Sequence, residues 1–108
     1  MRSTLTELVA YLNEHLSVHA AVEAPTERTD KYVIVMPVGG EPSLDAQHND
    51  YALQAWATTY TGAEALVREV CDVMRDNGAA TMLASPIPLG YDGIYWWWQT
   101  SFTVHALW

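Results

Sequence analysis

The sequence predicts an α+β domain in which a mainly antiparallel sheet of about five strands carries two helices packed on one face, in the order α-β-β-β-α-β-β. Two segments show the apolar period of amphipathic helices, and the others alternate or are rich in β-branched and aromatic residues. The connections are short, which favours antiparallel pairing. With 108 residues, the chain is the size of one domain and can bury about two-thirds of its surface in a single core.

The first helix is predicted over residues 4–16. Thr4 and Glu7 have the spacing of a capping box, in which the hydroxyl accepts from a helical amide and the carboxylate reaches back to the cap. The apolar residues of this segment fall on one face at helical spacing: Leu5, Leu8, Val9, Leu12 and Leu16. This face is the one that we expect to pack on the sheet.

Two strands are predicted next, a short one over residues 20–24 and a stronger one over residues 31–38. The stronger strand contains Val33, Ile34 and Val35 in a continuous apolar run, which is typical of a strand buried on both faces. Pro37 lacks an amide donor and limits this strand to a sheet edge or its own end.

A polar loop is predicted over residues 39–49, which is longer than the usual hairpin connection of two to five residues. Asp45, His48 and Asp50 could bind a divalent ion there. A solvated acidic loop has the same composition, and we expect a loop without a metal. A connection of this length is typically functional or disordered.

A strand predicted over residues 51–59 leads into a helix that ends near residue 76. Alternation places its side chains in two sets on opposite faces: Tyr51, Leu53, Ala55 and Ala57 on one, and Ala52, Gln54, Trp56 and Thr58 on the other. Thr61 and Glu64 have the spacing of a second capping box, and Asn77-Gly78 is a typical helix end. The predicted buried stripe of the helix is Leu66, Val67, Val70, Cys71 and Met74.

The C-terminal part predicts a strand over residues 80–84 that Pro86 and Pro88 break, a turn at residues 89–93, and a long aromatic strand over residues 94–108. Its most unusual feature is three consecutive tryptophans, Trp96, Trp97 and Trp98. Neighbouring side chains of a strand point to opposite faces, so one core cannot hold all three. We favour contact with another subunit; packing within the monomer and a stacking platform for bases or sugars are the alternatives.

Charge and cysteine content restrict the function further. The net charge of −8 repels phosphate backbones, and five scattered basic residues form no patch, so we expect no specific nucleic-acid binding. Cys71 alone cannot form an intrachain disulfide, and its place on a buried helix face predicts a small apolar side chain instead of a nucleophile. No segment reaches transmembrane length, and we expect a soluble cytoplasmic protein without a catalytic site or cofactor.

The order of these segments resembles the tail terminator (tail completion, or minor tail) proteins of long-tailed phages and prophages. The resemblance covers nearly the whole of residues 1–108 as one domain and is best over residues 32–70. It is carried by the proline after Ala24, the YVIV strand with Gly39-Gly40, a polar loop ending in Asp50, the LQAWA strand, the AEALVREV helix and the closing hairpin.

This resemblance implies a structural, non-enzymatic protein that forms a hexameric ring on the finished tail tube. Its partners would be the tail tube protein and the head–tail connector, in the host cytoplasm during assembly and then in the virion tail. The residues that we expect to contact neighbouring subunits or partners are Gly39, Gly40, Asp45, His48, Asp50, Trp56, Tyr95, Trp96, Trp97 and Trp98. The alternatives are a connector or neck adaptor, and a small ligand-binding domain with the aromatic strand as a pocket wall.

Overall fold

The computed structural model describes residues 4–24, 26, 29–39, 49–76 and 80–104. Along the chain the elements are α1 (Thr4–His15), β1 (Ala20–Ala21), β2 (Lys31–Gly39), β3 (Asn49–Ala57), α2 (Tyr60–Asp76), β4 (Ala80–Tyr91) and β5 (Trp96–Val104). The predicted α+β class and the predicted order of helices and strands along the chain are confirmed.

The five strands form one mixed sheet with the spatial order β1-β2-β3-β5-β4. The sheet does not follow chain order, because the chain reaches the outer edge as β4 and then returns as β5 beside β3. All pairs are antiparallel except β1 and β2, which run parallel. The strand predicted over residues 20–24 is only two residues long, so no described strand lies beside the Pro37 end of β2 on that side.

One core cluster joins both helices to a single face of the sheet, as predicted. The stripe expected on the second helix is buried throughout. Of the two sets of β3 side chains, the set that begins at Tyr51 is buried on the helix side. The largest fully buried side chains of this cluster include Phe102, Leu8, Leu12, Leu53 and Met74. Apolar side chains at period 3.6 on the helices and period 2 on the strands therefore meet in one layer.

Helix α1 is attached to α2 by hydrogen bonds as well as by apolar contact. The Tyr11 hydroxyl donates to the carbonyl of Val73 at 2.9 Å. Glu69 accepts from the Ser17 amide at 2.6 Å and from the Ser17 hydroxyl at 2.9 Å, just after α1 ends. The predicted capping box at the start of α1 depends on the Thr4 side chain, which lies outside the described part of the chain.

The start of α2 differs from its prediction. The helix begins at Tyr60, and the Thr59 hydroxyl accepts from the Gly62 amide at 3.0 Å, so Thr59 is the N-cap. The predicted box of Thr61 and Glu64 is wrong, since Thr61 is already helical and Glu64 pairs with Arg68 at 2.8 Å. The prediction failed because β3 ends two residues earlier than expected, at Ala57. The helix end predicted at Asn77-Gly78 lies outside the described residues.

Strand β4 also corrects a prediction, because it runs without interruption through Pro86 and Pro88. Three register shifts in its pairing with β5 accommodate its extra residues. At the sheet edge, a missing amide on the outer side costs no ladder hydrogen bond, so proline is tolerated there.

The connection between β4 and β5 is a tight turn at residues 92–95. Asp92 Oδ1 accepts from the amides of Ile94 at 2.9 Å and Tyr95 at 2.7 Å. Gly93 has a φ of 100°, a conformation that favours glycine. The last strand consequently begins at Trp96 and not at residue 94 as predicted; its described part ends at Val104.

Candidate interaction surface

The face of the sheet opposite the helices is covered by neither α1 nor α2. We call it the open face; four of its ten side chains are buried, and the other six are partly buried. It is formed by alternate residues of three strands: Tyr32, Ile34 and Met36 of β2, Ala52, Gln54 and Trp56 of β3, and Trp97, Gln99, Ser101 and Thr103 of β5. A smaller apolar cluster of Tyr32, Ile34 and Tyr95 lies on this side, separate from the main core.

An aromatic row crosses the open face at one end of the sheet. Tyr32, Trp56 and Trp97 are directly paired across β2, β3 and β5. Trp56 stacks on Trp97 with ring centroids 4.2 Å apart, and on Tyr32 with centroids 5.8 Å apart. A Cβ at Gly90 would lie 3.1 Å from the Trp97 ring, so glycine on β4 leaves room for that ring. These side chains stack on one another, which is a favourable cross-strand arrangement.

Tyr95 supports the aromatic row from within. Its ring meets Tyr32 edge-on, with centroids 5.3 Å apart, and its hydroxyl donates to the carbonyl of Thr29 at 2.7 Å. Only 4% of Tyr95 is exposed. Tyr95 therefore fixes the β4–β5 turn against the segment before β2, and any effect on a partner is indirect.

Polar side chains in the rest of the open face bond to one another. Gln54 Nε2 donates to Gln99 Oε1 at 2.9 Å, and Trp56 Nε1 donates to Gln54 Oε1 at 3.0 Å. At the far end, the Thr103 hydroxyl donates to Asp50 at 2.6 Å. The face is consequently almost neutral, with Asp50 as its charged group.

The other two tryptophans lie on the helix side, as alternation predicts. Trp96 packs against Tyr91, with centroids 4.5 Å apart, and edge-on against Tyr60, at 5.3 Å. Trp98 contacts the main core and Tyr60. All three tryptophans are half-buried, so packing within the monomer accounts for part of their burial and leaves each of them partly accessible.

The structure separates the predicted contact residues into two groups. Gly39 and Asp50 are paired at one end of the sheet, while Trp56 and the aromatic segment of β5 are at the other. Trp56 is six positions after Asp50 on β3, which is about 20 Å of extended chain. Gly40, Asp45 and His48 lie outside the described residues. Within those residues, no group of three potential metal ligands comes together.

An apolar surface that the sequence analysis did not single out lies along β4 and the following turn. Its exposed side chains, each 44–62% accessible, are Leu83, Ile87, Leu89, Tyr91 and Ile94. The sequence signal was the absence of charge, because residues 77–108 contain only one Asp, Glu, Lys or Arg, which is Asp92. This surface was missed because the sequence analysis predicted a strand only over residues 80–84 and a turn at residues 89–93, whereas β4 extends to Tyr91.

Cys71 lies on the buried face of α2, as its helical position predicted. It is 4% exposed, and its thiol lies 3.9 Å from the Thr100 hydroxyl, which donates in turn to the carbonyl of Ala84 at 2.8 Å. Burial raises the pKa of the Cys71 thiol, because the thiolate is less well solvated inside the protein.

We expect Cys71 in the folded protein to resist alkylation near neutral pH, where burial and the raised pKa both suppress the reactive thiolate. The measurement is the rate of iodoacetamide labelling with and without denaturant, with a small thiol as the reference. Labelling of the native protein at the rate of the free thiol would show that the helix does not shield Cys71.

Comparison with models of known protein families finds no match for this chain, and no curated protein matches its sequence. Among the described residues, no helix is long and apolar enough to cross a membrane. The function must therefore be argued from the open face and from the apolar edge of β4.

Proposed function

We propose that this chain is a structural protein of a phage or prophage tail, which caps the tail tube as a ring and offers the surface that joins the head. The observation that carries the proposal is the open face. This face, formed by β2, β3 and β5, is nearly neutral and partly aromatic, although the net charge of the chain is −8. Surfaces of this kind are typical of protein contacts.

The two sides of the sheet suggest how such a cap ends growth. A tube subunit needs one surface for the ring before it and another for the ring after it. In this chain the open face can dock on a tube end, while both helices cover the opposite face. Once the open face is seated, no second open sheet is presented in that direction, and the next tube ring has nowhere to add.

Charge is compatible with a place on the DNA path. The described cations are few, namely Lys31, Arg68 and Arg75, and Arg68 is paired with Glu64 at 2.8 Å. Acidic groups facing a lumen would repel the phosphates of passing DNA and reduce adhesion.

A tube-assembly assay tests the proposal. Tail tube protein from the same phage genome is polymerised with increasing amounts of this chain, and tube lengths are measured in negative-stain images. We expect tubes to become shorter as the ratio of cap to tube protein rises, with added density at one end. Tubes of unchanged length and unmodified ends would refute the capping function.

A charge variant locates the contact. Gln99→Glu keeps the size of a half-buried side chain in the middle of the open face but adds a negative charge that a docked partner would have to desolvate. We expect it to lose capping, while Ala65→Glu on the exposed side of α2 keeps it. Equal capping by both variants would remove the open face from the contact.

The connector or neck adaptor remains the alternative, because it has the same need for an exposed contact face. Binding to an isolated connector ring without any effect on tube length would select it. A ligand-binding role has less support, since Trp56 already stacks on Tyr32 and on Trp97, which leaves its ring faces occupied by neighbours.

A further inference from the structure

The apolar edge, which we define as the exposed large apolar side chains of β4 and its turn, occupies one lateral boundary of the sheet. Five of the eight large apolar side chains exposed in the described residues belong to it; Ile87 is paired with Gln99 on the open-face side, and Tyr91 with Trp96 on the helix side. All twelve residues of β4 are uncharged, and Asp92 is the one charged residue of the turn. Edge strands of soluble proteins usually carry charges that prevent association, and β4 has none.

An apolar groove lies at the opposite boundary, where α1 passes beside β1. Its volume is about 360 Å³, and Leu5, Val9, Ala21 and Val22 supply its apolar lining. Val22 is 50% exposed. Its polar lining is Thr6, Asn13 and His19, and among the described residues no carboxylate lines it.

Neither boundary is free to extend the sheet by adding a strand. On β1, the outward amide and carbonyl of Ala20 are both bonded to the Asn13 side chain at 2.9 Å, so Asn13 occupies the place of a neighbouring strand. On β4, Pro86, Pro88 and three register shifts interrupt the outer ladder. A partner at either boundary must therefore bind through side chains.

We infer that copies of this chain associate head to tail, with the apolar edge of one copy seated in the α1–β1 groove of the next. The two surfaces lie on opposite sides of the same sheet, so the contact joins different patches on the two copies and can repeat. As the subunit contact of a ring, this inference rests on the proposed function, but the contact itself requires no tube.

Electrostatics favours these two surfaces over others as a contact between identical chains. Two copies with a net charge of −8 repel each other, and the repulsion is greatest where carboxylates would be brought together. Strand β4, which carries no charge, and the groove, which no described carboxylate lines, can meet with little such cost. Screening by salt should accordingly strengthen association.

Complementation between two charge variants tests the direction of the contact. Ile87→Glu blocks the edge and Val22→Glu blocks the groove; the wild-type side chains are 51% and 50% exposed, so neither change should disturb the core. Val38→Glu, at a valine that is 56% exposed and belongs to neither surface, is the matched control. Thermal unfolding of each variant verifies that it is folded. If Ile87→Glu is not folded, Leu83→Glu replaces it as the edge variant.

Light scattering across protein concentration measures the result. We expect wild type and Val38→Glu to associate, and each blocked variant to do so at least about tenfold more weakly. An equimolar mixture of the two blocked variants should form a 1:1 heterodimer. The one intact edge and the one intact groove form its contact, and it does not grow because the edge and groove that stay free are both blocked.

Other outcomes would overturn the inference. Wild-type protein that stays monomeric at every concentration and salt condition lacks the contact, and a mixture that remains monomeric shows that edge and groove are not complementary. Unimpaired association of Val22→Glu would indicate edge-to-edge pairing instead. Capping of tubes by a protein that does not self-associate would reject this contact and support the proposed function. Association without capping would support the contact and reject the proposed function.

Discussion

Replacing Phe102 with alanine is expected to lower the free energy of unfolding by about 3–5 kcal/mol. Phe102 is fully buried on β5, where it is paired with Tyr51 of β3 on one side and with Met82 of β4 on the other. Removing its ring leaves a cavity between the sheet and the helices that close packing cannot refill. Because domains are typically stable by about 5–15 kcal/mol, this one change should leave the protein close to unfolding.

Urea denaturation followed by tryptophan fluorescence measures this loss. Ile87→Ala on the neighbouring strand is the control, because Ile87 is 51% exposed and its truncation should change stability by no more than about 0.5 kcal/mol. Phe102→Leu, which keeps more of the volume, should fall between the two. Equal stability of Phe102→Ala and Ile87→Ala would show that β5 does not lie beneath the helices.

The stacked pair of Trp56 and Trp97 should have the second large effect, both spectroscopic and energetic. Rings whose centroids are 4.2 Å apart and whose planes differ by 13° couple their electronic transitions. We expect a paired exciton band in the circular dichroism spectrum that disappears in Trp97→Phe. Trp97→Ala should also lower the free energy of unfolding by about 2 kcal/mol, through lost burial and lost ring contact.

Trp98→Phe is the matched control, because it removes a tryptophan from the same strand but from the opposite face. The exciton band should persist in it. A double-mutant cycle of Trp56→Ala and Trp97→Ala should give a coupling of about 0.5–1.5 kcal/mol. Loss of the band in Trp98→Phe but not in Trp97→Phe would show that Trp98, and not Trp97, stacks on Trp56.

Much of the fold could be predicted from residues whose pattern has one physical solution. The stripe from Leu66 to Met74 is buried and the side chains of β3 alternate between the two faces, both as expected, because each period matches only one secondary structure. Alternation also placed Trp97 correctly on the face opposite Trp96 and Trp98. The precise cap of α2 was missed, since Thr59 and Thr61 are equally suitable by sequence and only the end of β3 distinguishes them.

Prediction of the interaction surface was less complete. The tryptophans were expected to need another subunit, and the structure provides partners inside the monomer that the sequence places far away, namely Tyr32, Tyr60 and Gly90. The apolar edge was missed because Pro86 and Pro88 were interpreted as strand breakers. They are strand breakers at an interior position of a sheet, and whether a strand is interior depends on long-range pairing.

The sequence by itself therefore determined the α+β class, the order of the elements and the side of each amphipathic segment that is buried. These properties depend on local periodicity and on the transfer of apolar side chains out of water. Only the tertiary structure decided that β5 lies between β3 and β4, that β4 remains a strand at the edge, and that both helices cover the same face. Those properties depend on which distant strands share hydrogen bonds, and the same local pattern is compatible with several such pairings.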